Sequence, residues 1–267
     1  MDYLNRANAP LDAAVWERID ATAVQAARDV LTARRFLPVD GPYGLGLTSI
    51  EVGADDYCRE PGAGEAGAVL SRAVSVPMLR REFSLSIRRI EAQREMSQPL
   101  DLRAVADAAE AVARREEEFV YQGQPDFGLH GLLNVPGHHE VGVGSWAHVN
   151  QALEDVLNAV NTLDGAGFHG PYALAINSAW YNDLFRRYEG SDVLQLDHLS
   201  RLCAGGVFKA PIAGGVLVDP HVGRIVIGQD LRAGYAAQDG IHYRLYLSES
   251  VVPMLEEPGA ICVLKAA

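Results

Sequence analysis

The stretch from residue 46 to residue 75 constrains what this chain can fold into more than any other. Residues 48–53, with Ile50 and Val52, and residues 68–74, with Val69, Leu70 and Val74, predict two strands. Residues 54–67 between them form a polar, glycine-rich tip. A lone two-stranded ribbon is marginal in water, and its unpaired edges invite another chain. An arm this long, with so few bulky apolar residues, has to lie on a neighbour.

The rest of the chain supplies ample material for a core. Trp16, Ile19, Ala23, Ala26 and Val30 recur at steps of three and four and predict a helix over 11–34, with Asp12 as its cap. A second helix is expected over 100–121, with Leu102, Val105, Ala109, Val112 and Phe119 on one face and Asp101 as cap. A third is expected over 145–163, through Val149, Leu153, Val156, Val160 and Leu163. Tyr172 to Ile176 is a short apolar run, expected as a buried strand. Short helices are expected near 178–188 and 194–204, then strands at 207–208, 216–218, 224–227 and 242–248. In the last, Tyr243, Leu245 and Leu247 share one face. No internal repeat is evident.

Three glycine-bearing segments punctuate this layout: residues 34–44, 170–177 and 228–235. Gly41-Pro42 and Gly170-Pro171 each set a turn, since proline pushes the preceding residue out of the helical region. These are scaffolding motifs, and none carries a reactive group. They favour a structural protein over an enzyme.

Composition narrows the function classes. A net charge of −12 argues against nucleic acid as main partner, because phosphate binding needs a basic stripe. No apolar run approaches the roughly 20 residues of a membrane-spanning helix. The first residues lack the basic and apolar regions of a signal peptide, so a cytoplasmic location is expected. Cys58, Cys203 and Cys262 lie far apart, without zinc spacing or a disulfide framework, and are read as reduced thiols. Lys209 and Lys265 are the only lysines, which excludes most lysine-based chemistry.

Four groups invite a chemical reading. Gly62, Gly64 and Gly67 fit a dinucleotide pattern, but no strand precedes them and Glu65 sits where pyrophosphate charge would approach, so a loop tip is expected. His138-His139-Glu140 lies in a Pro-Gly turn region, and adjacent histidines seldom bind one ion, so a solvated loop is expected and no metal site. Glu116-Glu117-Glu118 fan round a helix axis and are expected as a charged outer face. Asp197-His198 has no placed nucleophile. No catalytic residue and no cofactor is assigned.

Ordered along the chain are Asn8-Ala9-Pro10-Leu11, Trp16, Ile19-Asp20, Ala33-Arg34-Arg35, Gly41-Pro42-Tyr43-Gly44 and Arg115 through Gly123. Gly131-Leu132-Leu133, Gly170-Pro171-Tyr172-Ala173, Gly228-Gln229-Asp230-Leu231, Tyr243-Arg244-Leu245-Tyr246 and Ala260-Ile261-Cys262 follow. In this order the chain resembles the encapsulin shell proteins (family 1, linocin-M18-like). The resemblance implies an α+β fold of the HK97 phage capsid type. It implies a P-domain from residues 1–45, 76–134 and 223–250, an E-loop from 46–75, and an A-domain from 135–222 and 251–267. The E-loop is the arm. With no lysine before residue 209, a lysine crosslink between subunits, known in some phage relatives, is not expected.

The same resemblance implies a function. Identical chains close into an icosahedral cage, expected as a T = 1 shell of roughly 60 copies with T = 3 as the alternative. The cage is expected to hold a cargo enzyme recruited by a short C-terminal peptide. A ferritin-like iron-oxidising enzyme is expected from residues 90–101 and 260–262, with a dye-decolorizing peroxidase as the other option. The peptide groove maps onto Val30, Leu31, Arg34, Val39, Asp230 and Leu231, and Pro38 stands where some relatives have an acidic residue. The competing reading places Val30, Leu31 and Leu231 in ordinary core. Tyr188, Glu189, Gly190, Ser191 and Asp192 are expected at an axial pore, or else form a plain surface turn. Two further classes stay open: a phage-type capsid protein packaging DNA, and a bacteriocin- or protease-like protein.

Overall fold

A computed structural model of the chain describes residues 3–57, 60–188, 190 and 192–266; of residues 54–57 only the backbone is described. Cys58, Glu189 and Ser191 therefore lie outside the described residues.

Helix α1 (Ala13–Val30) starts where Asp12 accepts the Val15 N–H at 2.8 Å. It stops four residues short of the expected end and gives way to a 3-10 turn at Ala33–Arg35. The reason is a competing acceptor. The N–H groups of Thr32 and Ala33 go to the carboxylate of Glu117, each at 3.0 Å, instead of continuing the helical ladder. Next come β1 (Val39–Asp40) and the arm, formed by β2 (Ser49–Tyr57) and β3 (Val69–Ser75). The arm has no core of its own, and Leu70 is 64% exposed.

Two elements follow that the sequence reading does not include: β4 (Met78–Ser86), where Phe83 and Leu85 are buried, and α2 (Ile87–Met96). Ile90 is the only buried residue of α2, so it has no apolar stripe to read. Helix α3 (Arg103–Gln122) begins three residues after its expected start, and Asp101 accepts the Arg103 N–H at 3.0 Å. A short hairpin of β5 (Gly123–Gln124) and β6 (Leu129–His130) leads to β7 (His139–Val143) and α4 (Gln151–Gly165). Then follow β8 (Ala173–Ile176), α5 (Ser178–Asp183), α6 (Gln195–Leu202), β9 (Gly206–Lys209) and β10 (Gly215–Val218). The chain ends with β11 (Gly223–Ile227), β12 (Arg232–Asp239), β13 (His242–Leu255) and β14 (Ile261–Ala266).

Strand β13 organises the first sheet. Residues 242–250 pair with β4, and residues 242–248 pair with β12 on the other edge. Residues 251–255 pair with β11, which in turn holds β1 in parallel. Strands β11 and β12 thus run end to end along one edge of β13, interrupted at residues 228–231. Strand β13 reaches five residues past the division expected at 250 before the chain crosses to the second sheet. Gly41 is required beside β11: its φ is +121°, and a Cβ there would lie 2.4 Å from the Ile227 carbonyl.

The second sheet has the order β7-β14-β10-β8-β9. Leu174, Ile176, Leu217, Cys262 and Leu264 face the helical side, against Val156, Ala159 and Leu163 of α4. Ala173, Ala175, Val216, Val218, Ile261 and Val263 face the main core. A sheet buried on both faces reads as continuous apolar runs, which is why residues 173–176 and 216–218 were legible as strands. The main core also holds α1 through Ile19 and Ala23, and α3 through Val105, Ala109 and Val112.

Candidate functional site

Helix α3 presents two consecutive carboxylates to the interior, and both meet the segment just after α1. Glu116 and Glu117 are fully buried, whereas Glu118 is exposed and pairs with Arg115 at 2.5 Å. The expectation of a charged outer face over 116–118 therefore holds for Glu118 alone. Besides the two backbone groups, Glu117 accepts the Thr32 hydroxyl, which lies 3.0 Å from the Tyr121 hydroxyl. Burial pushes the Glu117 carboxyl above its ordinary value, and these hydrogen bonds oppose the rise.

Glu116 takes the Arg34 guanidinium in a two-pronged contact, Nε to Oε1 at 2.6 Å and Nη2 to Oε2 at 2.8 Å. The same Nη2 donates to Glu249 on β13, which is 2% exposed. Asp230 Oδ1 lies 3.7 Å from Arg34 Nη1 on the solvent side. One cation thus serves two buried carboxylates and a third at the surface. Burial pushes Glu249 up to about 8, helped by the charge of Glu116 and opposed by Arg34.

Above this cluster opens a cleft of about 490 Å³. Its apolar floor is Ala27 and Leu31 from the end of α1, Ala113 from α3, and Leu231 from the turn before β12. Arg28, Arg34, Arg35, Asp230 and Glu249 give it charged walls. Of the six expected groove residues, Leu31, Arg34, Asp230 and Leu231 line the cleft, and Val30 packs against the same small apolar cluster. Leu31 is buried, while Val30 and Leu231 are half-buried at its edge. Val39 is elsewhere: it sits on β1, 47% exposed, opposite Ile225. Of the two charged residues expected in the groove, Arg34 is held from beneath by Glu116 and Glu249, and Asp230 is exposed at the surface.

Sequence reasoning missed Glu116 and Glu249, although each carries a signal. Glu116 falls on the helical stripe of Val105, Ala109 and Val112, and Glu249 continues the inward alternation of Tyr243, Leu245 and Leu247. A carboxylate on a core-facing position has to find a cation, and Arg34 is that cation.

The expected pore segment falls between α5 and α6. The Tyr188 N–H donates to the Val193 carbonyl at 3.2 Å, and Arg187 pairs with Asp192 at 3.0 Å. Gly190 has φ +71°. Glu189 and Ser191 fall outside the described residues. The Tyr188 ring lies 4.8 Å from that of His198.

The remaining candidates resolve into structural roles. The Glu65 carboxylate accepts the Gly62 N–H at 3.2 Å, occupying the position a phosphate would need. His139 and Glu140 belong to β7 rather than to a loop, paired in parallel with β14. His138 and Lys265 both contact Glu140, at 2.9 and 2.5 Å. Asp197 caps α6 by accepting the Leu194 N–H at 3.0 Å.

Comparison with known proteins gives these features a context. Residues 1–252 match the family model Linocin_M18, described as encapsulating protein for peroxidase. The type 1 encapsulin shell protein EncA of Myxococcus xanthus is 29% identical over 100% of this chain and 97% of its own length. Among solved structures, the virus-like particle from Pyrococcus furiosus superposes with a TM-score of 0.73 at 23% identity, covering 94% of this chain and 99% of that one. The capsid of Myoviridae phage XM1 gives 0.62 at 17% identity, covering 88% and 90%. The fold is that of the HK97-type capsid proteins.

Proposed function

This chain belongs to the Linocin_M18 family of encapsulating shell proteins, builds a capsid-like cage and is not an enzyme, and from that premise we propose a cargo-holding T = 1 shell of roughly 60 copies. The first sheet with α1 and α3 acts as the P-domain, the second sheet with α4 as the A-domain, and the arm of β2 and β3 as the E-loop. The exposed arm supports this reading, since it needs a neighbouring subunit to cover Val69 and Leu70. The turn at 188–192 lines an axial pore in this reading. The cage is cytoplasmic, and its net negative charge disfavours packaged nucleic acid.

The cleft over Arg34 receives the C-terminal peptide of a cargo enzyme. The observation that carries this is its floor: four apolar side chains from three separate elements, with Leu231 half-buried at the edge, lie beneath a cleft with a charged wall. A small aliphatic segment fits such a surface. A ferritin-like iron oxidase is the first cargo reading, from the resemblance at 90–101 and 260–262. A dye-decolorizing peroxidase is the second, favoured by the description of the matched family. The two separate in purified particles. Iron uptake without haem absorbance supports the oxidase, and a haem Soret band supports the peroxidase. Particles that never retain a partner enzyme overturn the cargo reading.

A further inference from the structure

The cleft does not end at Leu231. A second depression, reaching Asp20 and Arg232, shares Val24, Arg28, Asp230 and Leu231 with it, so the two form one groove along α1. From Asp20 to Leu31 the helix rises about 16 Å at ~1.5 Å per residue. An extended peptide covers that distance with about five residues at ~3.3 Å each. The groove therefore has the length of a short tail.

Its charges are unequally committed. Arg34 is held by Glu116 and Glu249 from below, and Asp20 is held by Arg6 at 2.6 and 2.8 Å. Arg28 and Arg35 are exposed, and among the described residues neither has a carboxylate within ion-pair distance. Arg35 Nη2 donates to the Arg28 carbonyl at 3.0 Å, which keeps the two residues adjacent at the C-terminal end of α1. A helix C-terminus repels anions. Two unpaired guanidinium groups reverse that field at the groove's rim.

We propose that Arg28 and Arg35 read the carboxylate of the occupant. An extended aliphatic peptide lies on Ala27, Leu31, Ala113 and Leu231, and its free C-terminal carboxylate pairs with the two rim arginines. Arg34 is a strut beneath the groove and does not contact the ligand's charge. This inference rests on the reading of the cleft as a docking site for a cargo tail.

The test uses the full-length chain and a fluorescein-labelled hexapeptide of alternating glycine and leucine. The peptide is made with a free C-terminal carboxylate and as its amide, and binding is read by fluorescence anisotropy. The expected result is about fivefold tighter binding of the free acid, the scale of an exposed ion pair. That preference disappears at about 1 M salt and in Arg28→Ala/Arg35→Ala, and survives in Arg28→Lys/Arg35→Lys. Equal binding of acid and amide to the unaltered chain overturns the carboxylate reading and leaves the docking cleft standing. A preference that persists in the double alanine variant overturns it as well. Binding of neither peptide to the unaltered chain overturns the docking reading, and this inference with it.

Discussion

Glu117 on α3 closes on Thr32, 85 positions earlier, through both the backbone N–H at 3.0 Å and the hydroxyl. One buried carboxylate thereby ends the first helix and fixes its exit against α3. The next two residues inherit their place from it. Ala33 gives its N–H to the same oxygen, and Arg34 is delivered to Glu116 one position before Glu117. The cleft floor sits directly on this junction, so its shape depends on Glu116 and Glu117, which do not line it.

The burial of Glu117 and Glu249 makes stability depend on pH. Both carboxyls have folded-state values raised above the unfolded ones, Glu249 from 4.5 to about 8. A raised value contributes stability that is present below the unfolded value and lost as pH rises through the folded one. The subunit is therefore expected to become less stable as pH rises from 4.5 through 8, with Glu249 carrying the fall in the upper part of that window. Urea midpoints across that range check this: Glu249→Gln should flatten the slope. An unchanged slope in the variant shows that Glu249 does not titrate there.

Arg34→Ala leaves Glu116 and Glu249 buried without a cation. A loss of about 3 kcal/mol is expected, the scale of a broken buried pair. Adding Glu116→Gln to that variant should recover part of it, because one stranded charge is gone. Chemical denaturation of the three proteins measures both. A loss under about 1 kcal/mol for Arg34→Ala means that water reaches the cluster.

Deleting residues 54–67 shortens the arm without touching either sheet, so the subunit should keep its secondary structure. Assembly should fail or change. Negative-stain microscopy and light scattering read the outcome. Unaltered particles of equal thermal stability mean that the arm clasps no neighbour.

Leu231→Asp puts a carboxylate on the cleft floor beside Asp230. Leu231 is only half-buried, so shells should still form, while retention of a partner enzyme drops at least about tenfold for the roughly 1.5–3 kcal/mol of apolar contact removed. Val30→Asp, at the same edge, should act in the same direction. Co-purification of cargo with intact particles is the readout. Shells that keep their cargo place the docking site elsewhere, and a variant that does not fold makes Leu231 core.

Much of this architecture was written locally. The step of Trp16, Ile19 and Ala23 with Asp12 ahead of it specifies α1 and its start, because periodicity and capping act within one or two turns. The apolar runs at 173–176 and 216–218 specify strands covered on both faces, and the sparse arm specifies a surface that needs a partner. Strand β4 and helix α2 were not placed from the chain: α2 buries Ile90 alone and has no stripe to read, and β4, where Phe83 and Leu85 alternate toward the core, is fixed by its long pairing with β13. The end of α1 was not legible either, because Glu117 competes for its hydrogen bonds from 85 positions away. The same holds for the cleft. Val30, Leu31, Arg34, Asp230 and Leu231 were named through the family resemblance and not from any local pattern, and Val39, named with them, lies on another surface. That Arg34 is a buried strut depends on Glu116 and Glu249, 82 and 215 positions distant. A charge in the interior is defined by the partner that compensates it, and only the tertiary fold brings that partner within reach.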